Sequence, residues 1–167
     1  GKNHPDWVHV QDEMRRLIDD SNSKTGHVGM ATINDIGHPT DIHPKNKKDV
    51  GKRLARWALN QDYGKKDVIV SGPLYKSHTI NNGAIEITFN HAKGLKTRDG
   101  KSPGSFEIAG ADGQWQAAEA KVSGNKIIVS SKSLTKPTQA RYAWKSDPTG
   151  ANLVNAEGLP TSCFVTQ

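Results

Sequence analysis

Cys163 is the only cysteine, so no disulfide can form within the chain and a small disulfide-stapled fold is excluded. It sits in the apolar phrase Ser162-Cys163-Phe164-Val165, the setting of a buried, inert thiol. Aromatic residues are scarce, at 6%, which leaves aliphatic side chains to build most of any core. No apolar run comes near the ~20 residues a helix needs to cross a bilayer, and the mean hydropathy is −0.70, so no membrane role is expected. No secretory leader is visible at the N-terminus. A strong charge of one sign is also lacking: 23 Lys and Arg stand against 17 Asp and Glu, a net +6 spread along the chain. The densest basic cluster, Lys45, Lys47, Lys48, Lys52, Arg53 and Arg56, reads as a solvated helix face. No nucleic-acid-binding motif accompanies it, so no nucleic-acid partner is expected.

What is present is enough chain, 167 residues, for one ordinary domain or a small domain plus part of another. Between Asp6 and Asp20, the spacing of Trp7, Val10, Met14, Leu17 and Ile18 places an apolar stripe on a helix. Val28-Gly29-Met30-Ala31-Thr32-Ile33 is apolar and small throughout, as in a strand buried on both faces of a parallel sheet, and Asn34 to Thr40 forms its exit loop. Pro44 suits the first turn of a second helix, where a missing N–H costs nothing. Val50, Leu54, Trp57 and Ala58 carry that helix to about Tyr63-Gly64.

From Lys65 the period changes. Val68 to Val70, Ala84 to Phe89, Phe106 to Ala109, Trp115 to Val122, Ile127 to Ser130 and Ala140 to Trp144 are short strand-like runs. Asn82-Gly83 and Gly124-Asn125 read as hairpin turns, and Asp99-Gly100 and Asp112-Gly113 as parts of longer loops. The expected organisation is α/β over residues 1–64, the end of a doubly wound parallel-sheet domain, then an all-β antiparallel sandwich over 65–167.

Asp41-Ile42-His43-Pro44 is the phrase with the most chemistry in it. It lies after the strand-like run, where the carboxyl ends of strands hold ligands in an open α/β sheet. A histidine there can relay a proton between a serine and a leaving alcohol, provided a carboxylate or carbonyl fixes its tautomer. Asp41 is the nearest acid and Asp35 the competitor. The structural alternative is that Asp41 caps the helix opened by Pro44. Asp35, His38, Asp41 and His43 also offer four metal-ligand types in one loop, but no zinc spacing matches, so no metal is expected.

These phrases carry a resemblance. Ile33-Asn34-Asp35-Ile36-Gly37, Asp41-Ile42-His43-Pro44-Lys45-Asn46-Lys47 and Val50-Gly51-Lys52-Arg53-Leu54-Ala55 resemble the C-terminal catalytic block of sialate O-acetylesterase-like proteins of the SGNH (GDSL-type) hydrolase superfamily. Ser71 to Ser77, Phe106 to Gly110, Arg141 to Trp144 and Asn152 to Pro160 resemble the family's trailing β-domain. The resemblance implies a carbohydrate O-acetylesterase in which a serine attacks an acetyl ester on a sugar, with no cofactor. His43 matches the catalytic histidine. Asp41 departs from the usual pattern, because only Ile42 separates it from His43 and Thr40 occupies the place of the acid.

The family's Gly-Asp-Ser nucleophile block does not occur in this sequence, and Ser71 and Ser77 fall in the segment matching the domain junction. The chain therefore resembles the C-terminal part of such an enzyme, inactive alone. Its expected partners are an acetylated carbohydrate and an N-terminal part of the same catalytic domain that bears the serine. A glycan substrate and the poverty in cysteine suggest an extracellular or periplasmic location. A second class of function is a non-catalytic carbohydrate-binding or structural β-module, with Trp115, Tyr142 and Trp144 either stacking on sugar or packing inward.

Overall fold

The computed structural model describes residues 5–24 and 27–166. Two helices precede ten short strands: α1 (Pro5–Lys24), α2 (Lys47–Gln61), β1 (Leu74–Asn81), β2 (Ala84–Asn90), β3 (Lys96–Thr97), β4 (Phe106–Ala109), β5 (Trp115–Ala117), β6 (Glu119–Ser123), β7 (Lys126–Ser130), β8 (Gln139–Tyr142), β9 (Leu153–Val154) and β10 (Phe164–Val165). All strand pairings among the described residues are antiparallel. One sheet runs β1-β2-β7-β6, a second runs β10-β8-β4-β5, and β3 pairs with β9.

Alternation explains how the two four-stranded sheets close on each other. Ile85, Ile87 and Phe89 of β2 and Ile127 and Val129 of β7 are buried at every second position, as are Phe106 and Ile108 of β4. With Ala140, Tyr142 and Phe164 they form one apolar cluster, each fully buried aliphatic side chain contributing ~1.5–3 kcal/mol. Asn82 (φ 48°) and Gly83 (φ 77°) supply the two left-handed residues that the β1–β2 hairpin needs. Tyr142 is inside this core, where its hydroxyl accepts the buried Leu153 N–H at 3.1 Å.

The helices attach to one end of the sandwich. α1 turns Val8, Asp12, Arg15 and Ile18 inward, a spacing of three and four. Val8 joins the sandwich core, and Ile18 meets Trp57, Val70 and Leu74 in a second cluster. Asp12 and Arg15 are buried as an ion pair at 2.8 Å, and Arg16 holds the second Asp12 oxygen at 2.8 Å. Of the stripe that the sequence marks as apolar, Ile18 is on the docked face, whereas Trp7, Val10, Met14 and Leu17 lie beside it and are 50–62% exposed.

Val28 to Ile33 is not a strand. The segment has no regular structure, no strand pairs with it among the described residues, and Gly29 and Ile33 are exposed. Side chains of α2 take over part of its backbone bonding: Trp57 Nε1 donates to the Met30 carbonyl at 2.9 Å, and Arg53 donates to that of Thr32. Val68 to Val70 likewise lies outside any strand. The run from Trp115 to Val122 is divided at Ala118, whose N–H is drawn away to the Phe106 carbonyl at 3.0 Å, separating β5 from β6. No helix among the described residues is long and apolar enough to cross a membrane.

Candidate active site

The loop between Ile33 and Asn46 is built from short local bonds. Ile36 N–H closes a turn on the Ile33 carbonyl at 3.1 Å. His38 Nδ1 accepts the N–H of Asp41 at 3.1 Å and of Thr40 at 3.3 Å. Asp41 Oδ1 then accepts the N–H of His43 at 2.8 Å, an Asx-turn of the kind short acidic side chains make two residues ahead of themselves. Asp41 and His43 are both exposed, and the His43 ring has no hydrogen bond or ion pair among the described residues.

Asp41 does not cap α2. The helix begins at Lys47, later than Pro44, and Asn46 is its cap, with Oδ1 accepting Asp49 N–H at 3.1 Å and Nδ2 donating to Asp49 Oδ2 at 2.8 Å. That side-chain bond from Asn46, helped by Lys52, Arg53 and Lys48, holds the exposed Asp49 carboxyl below its ordinary pKa. The reciprocal bonding fixes where the loop ends and the helix begins.

Asp35 stands apart from His43. Both its oxygens are gripped by Arg53, at 2.6 and 2.8 Å, and the two side chains are only 10% and 13% exposed. This bidentate pair, with the Thr32 carbonyl on the same guanidinium, clamps the start of the loop to α2. Next to it, Asn34 Nδ2 donates to the Thr161 carbonyl at 2.9 Å, tying the loop to the C-terminal tail of the sandwich. The tail is held again by Arg56, whose guanidinium reaches Glu157 at 3.2 Å and the Ile69 carbonyl at 2.7 Å.

Two of the six basic residues read as a solvated face are thus loop and tail anchors, while Lys45, Lys47, Lys48 and Lys52 are exposed. Among the described residues, no three His, Cys, Asp or Glu side chains gather in a way that could hold a metal ion. Asp35 is committed to Arg53 and His38 Nδ1 to backbone N–H groups. Ser71 is buried, and Ser77 bonds Thr88 at 2.7 Å on the outer sheet. Neither hydroxyl bonds His43.

No protein-family model and no curated protein matches the chain. Among solved structures, the chain is similar to a carbohydrate acetylesterase from Xanthomonas citri. The identity is 40% over 90% of this chain, with a TM-score of 0.80, and the match covers 35% of that enzyme's chain. This chain therefore spans about a third of the length of the protein it resembles.

The aromatics of the sandwich do not make an open platform. Tyr142 is buried, Trp144 is half-buried with its ring edge-on to His9 at 5.1 Å, and the Trp115 face is covered by the Arg141 guanidinium at 4.3 Å. Arg141 is held there by Glu107 at 2.8 Å. Asp41 and His43 stand out in the sequence by their spacing, whereas Arg53 and Asn34 are visible only within the basic cluster and the family-like phrases, because their partners lie 18 and 127 residues away.

Proposed function

We propose that this chain is the C-terminal part of a serine-type carbohydrate O-acetylesterase of the SGNH kind. Residues 1–64 would belong to the catalytic domain and 65–167 form the accessory sandwich. The observation that carries the proposal is the 40% identity, over 90% of the chain, to a carbohydrate acetylesterase of which it covers only 35%. The exposed stripe of Trp7, Val10, Met14 and Leu17, with Leu54 at 49% and Ile42 at 86% exposure, supports it further. This many exposed large apolar side chains in one short chain fit an interface, and the catalytic segment bearing the serine is the occupant proposed. Val28 to Ile33 would add to the parallel sheet of that segment, pairing its free backbone edge.

In the assembled site, the serine hydroxyl attacks the acetyl carbonyl while His43 takes its proton. His43 returns that proton to the departing sugar oxygen, leaving an acetyl-serine. Water then attacks this ester with the same base, releasing acetate and restoring the serine. Asp41 positions the base: one oxygen holds the His43 N–H, and the other is left for the ring Nδ1–H. A glycan substrate places the enzyme outside the cytoplasm, in the extracellular space or the periplasm.

The test is acetate release by the complete protein, including the serine-bearing segment, from acetylated xylo-, gluco- and sialo-saccharides. His43→Ala should lower kcat by about 10²–10⁴-fold while the protein stays folded. A complete protein inactive on every acetyl ester, or a His43→Ala variant with full activity, would overturn the proposal.

A further inference from the structure

Beside the Asp41–His43 turn, a cleft of about 220 Å³ opens between the loop and the sandwich. Its volume is roughly seven waters' share of liquid at ~30 Å³ each, room for one sugar ring. Ile33 and Pro148 give it apolar walls, Gln11 of α1 closes one side, and Asn34, His38 and Asp147 supply polar atoms. Asp147 comes from the loop between β8 and β9, so the sandwich contributes directly to a pocket flanking the catalytic loop.

The hydrogen-bonding roles of these groups are fixed by their other partners. A ring nitrogen that accepts backbone N–H groups carries no proton, so neutral His38 holds its hydrogen on Nε2 and offers a donor. Asn34 spends an amide hydrogen on Thr161, which defines its orientation and leaves Oδ1 as an acceptor. The Asp147 carboxylate has no ion pair or hydrogen bond among the described residues and is a strong acceptor. One donor and two acceptors in a mainly polar cleft, with Ile33 and Pro148 as its apolar patches, complement the hydroxyl groups and C–H face of a pyranose.

The lining also selects by charge. It contains two carboxylates, those of Asp35 and Asp147, and no lysine or arginine. Arg53 neutralises Asp35, which leaves Asp147 as the unpaired charge of the lining. An anionic ligand would meet repulsion without a counter-charge. We infer that this cleft is a glycan subsite that holds an uncharged sugar next to the acetylated unit, with Asp147 accepting its hydroxyls. The substrate class is then a neutral acetylated oligosaccharide and not an acidic sialoside. This rests on the acetylesterase proposal for the reaction, and binding can be measured without it.

The experiment compares wild-type complete protein with Asp147→Ala on O-acetylated xylo- and cello-oligosaccharides, an O-acetyl sialoside and 4-nitrophenyl acetate. Wild type should prefer a neutral oligosaccharide to the sialoside. Asp147→Ala should raise KM for the neutral glycan about tenfold and lower its selectivity over 4-nitrophenyl acetate by the same factor. Preference for the sialoside, an equal loss on glycan and aryl ester, or no change at all would each overturn the subsite. If wild type hydrolyses nothing, the acetylesterase proposal fails separately. The cleft is then judged by titrating deacetylated xylotetraose and cellotetraose into the protein. Amide NMR shifts at Asn34, His38 and Asp147 that vanish in Asp147→Ala uphold the subsite, and their absence refutes it.

Discussion

Replacing Arg53 by methionine keeps the side chain's apolar stem and removes three bonds at once, two to Asp35 and one to the Thr32 carbonyl. The cost follows from what is left behind. Asp35 is 10% exposed, so its carboxylate would remain largely desolvated with no cation beside it. Breaking a fully buried pair costs ~3–5 kcal/mol, and the residual exposure of both partners lowers this to ~2–4 kcal/mol. The complete protein proposed is about three times as long as this chain, and at ~2.1 cal/mol/K of unfolding entropy per residue each kcal/mol moves its melting point by about 1 °C, so it should lose roughly 2–4 °C if it melts in one step. Asp35→Leu together with Arg53→Met removes both charges, and the double variant should recover at least half of that loss, because no lone carboxylate remains. The assay is differential scanning calorimetry on the wild type, both single variants and the double. Strict additivity of the two single losses, or an Arg53→Met melting point within 0.5 °C of wild type (about 0.5 kcal/mol), would refute the idea that this pair clamps the loop.

Four further outcomes follow from packing. Burial raises the Cys163 thiol from 9.0 to about 12, with the Asp12 carboxylate adding to the effect, so iodoacetamide at pH 8 should label it slowly in the folded protein and fast in urea. The same shift stabilises the fold below pH 9, and that contribution is lost as pH rises from 9 toward 12, because the thiol ionises first in the unfolded chain; a Cys163→Ala variant should show a shallower alkaline decline. Gly29→Ala would drive a Cβ into the Trp57 indole and should cost ~1–3 kcal/mol by urea unfolding. Gly51→Ala, with nothing within 4 Å inside α2, should stabilise by up to ~1 kcal/mol.

How far such features can be read in advance depends on whether their cause is local. Phe106 to Ala109 and Ile127 to Ser130 declare themselves as strands because their neighbours in sequence share one buried face. β1 hides, since it lies at the edge of its sheet, with Leu74 its only buried residue and a polar outer face that tolerates Lys76, Ser77 and His78. α1 is legible as a helix, yet its apolar stripe does not tell which face docks. The docked face includes a buried Asp12–Arg15 pair, whose partners settle only in three dimensions. The same division runs through the site. Asp41 and His43 meet across two residues and are visible as a phrase. The Arg53–Asp35 and Asn34–Thr161 links join distant segments and leave no periodic trace.

Those links also bear on how a divided active site could hold its shape. A strand normally takes its position from neighbouring strands, and Val28 to Ile33 has none among the described residues. Trp57, Arg53 and Asn34 stand in for them, fixing Met30, Thr32 and the Asn34-Asp35 corner from two sides. Asn34 reaches the sandwich tail, so the loop leading to His43 is registered against the β-sheets as well as against α2. A serine-bearing segment docking on the exposed face of α1 would then meet a base already placed. The ordering entropy of that loop, ~1–2 kcal/mol per residue fixed, is met within this chain and not at the moment of docking. Under the acetylesterase proposal the sandwich would thus help to place His43, because Thr161 holds the far end of the Asn34 link at the start of that loop.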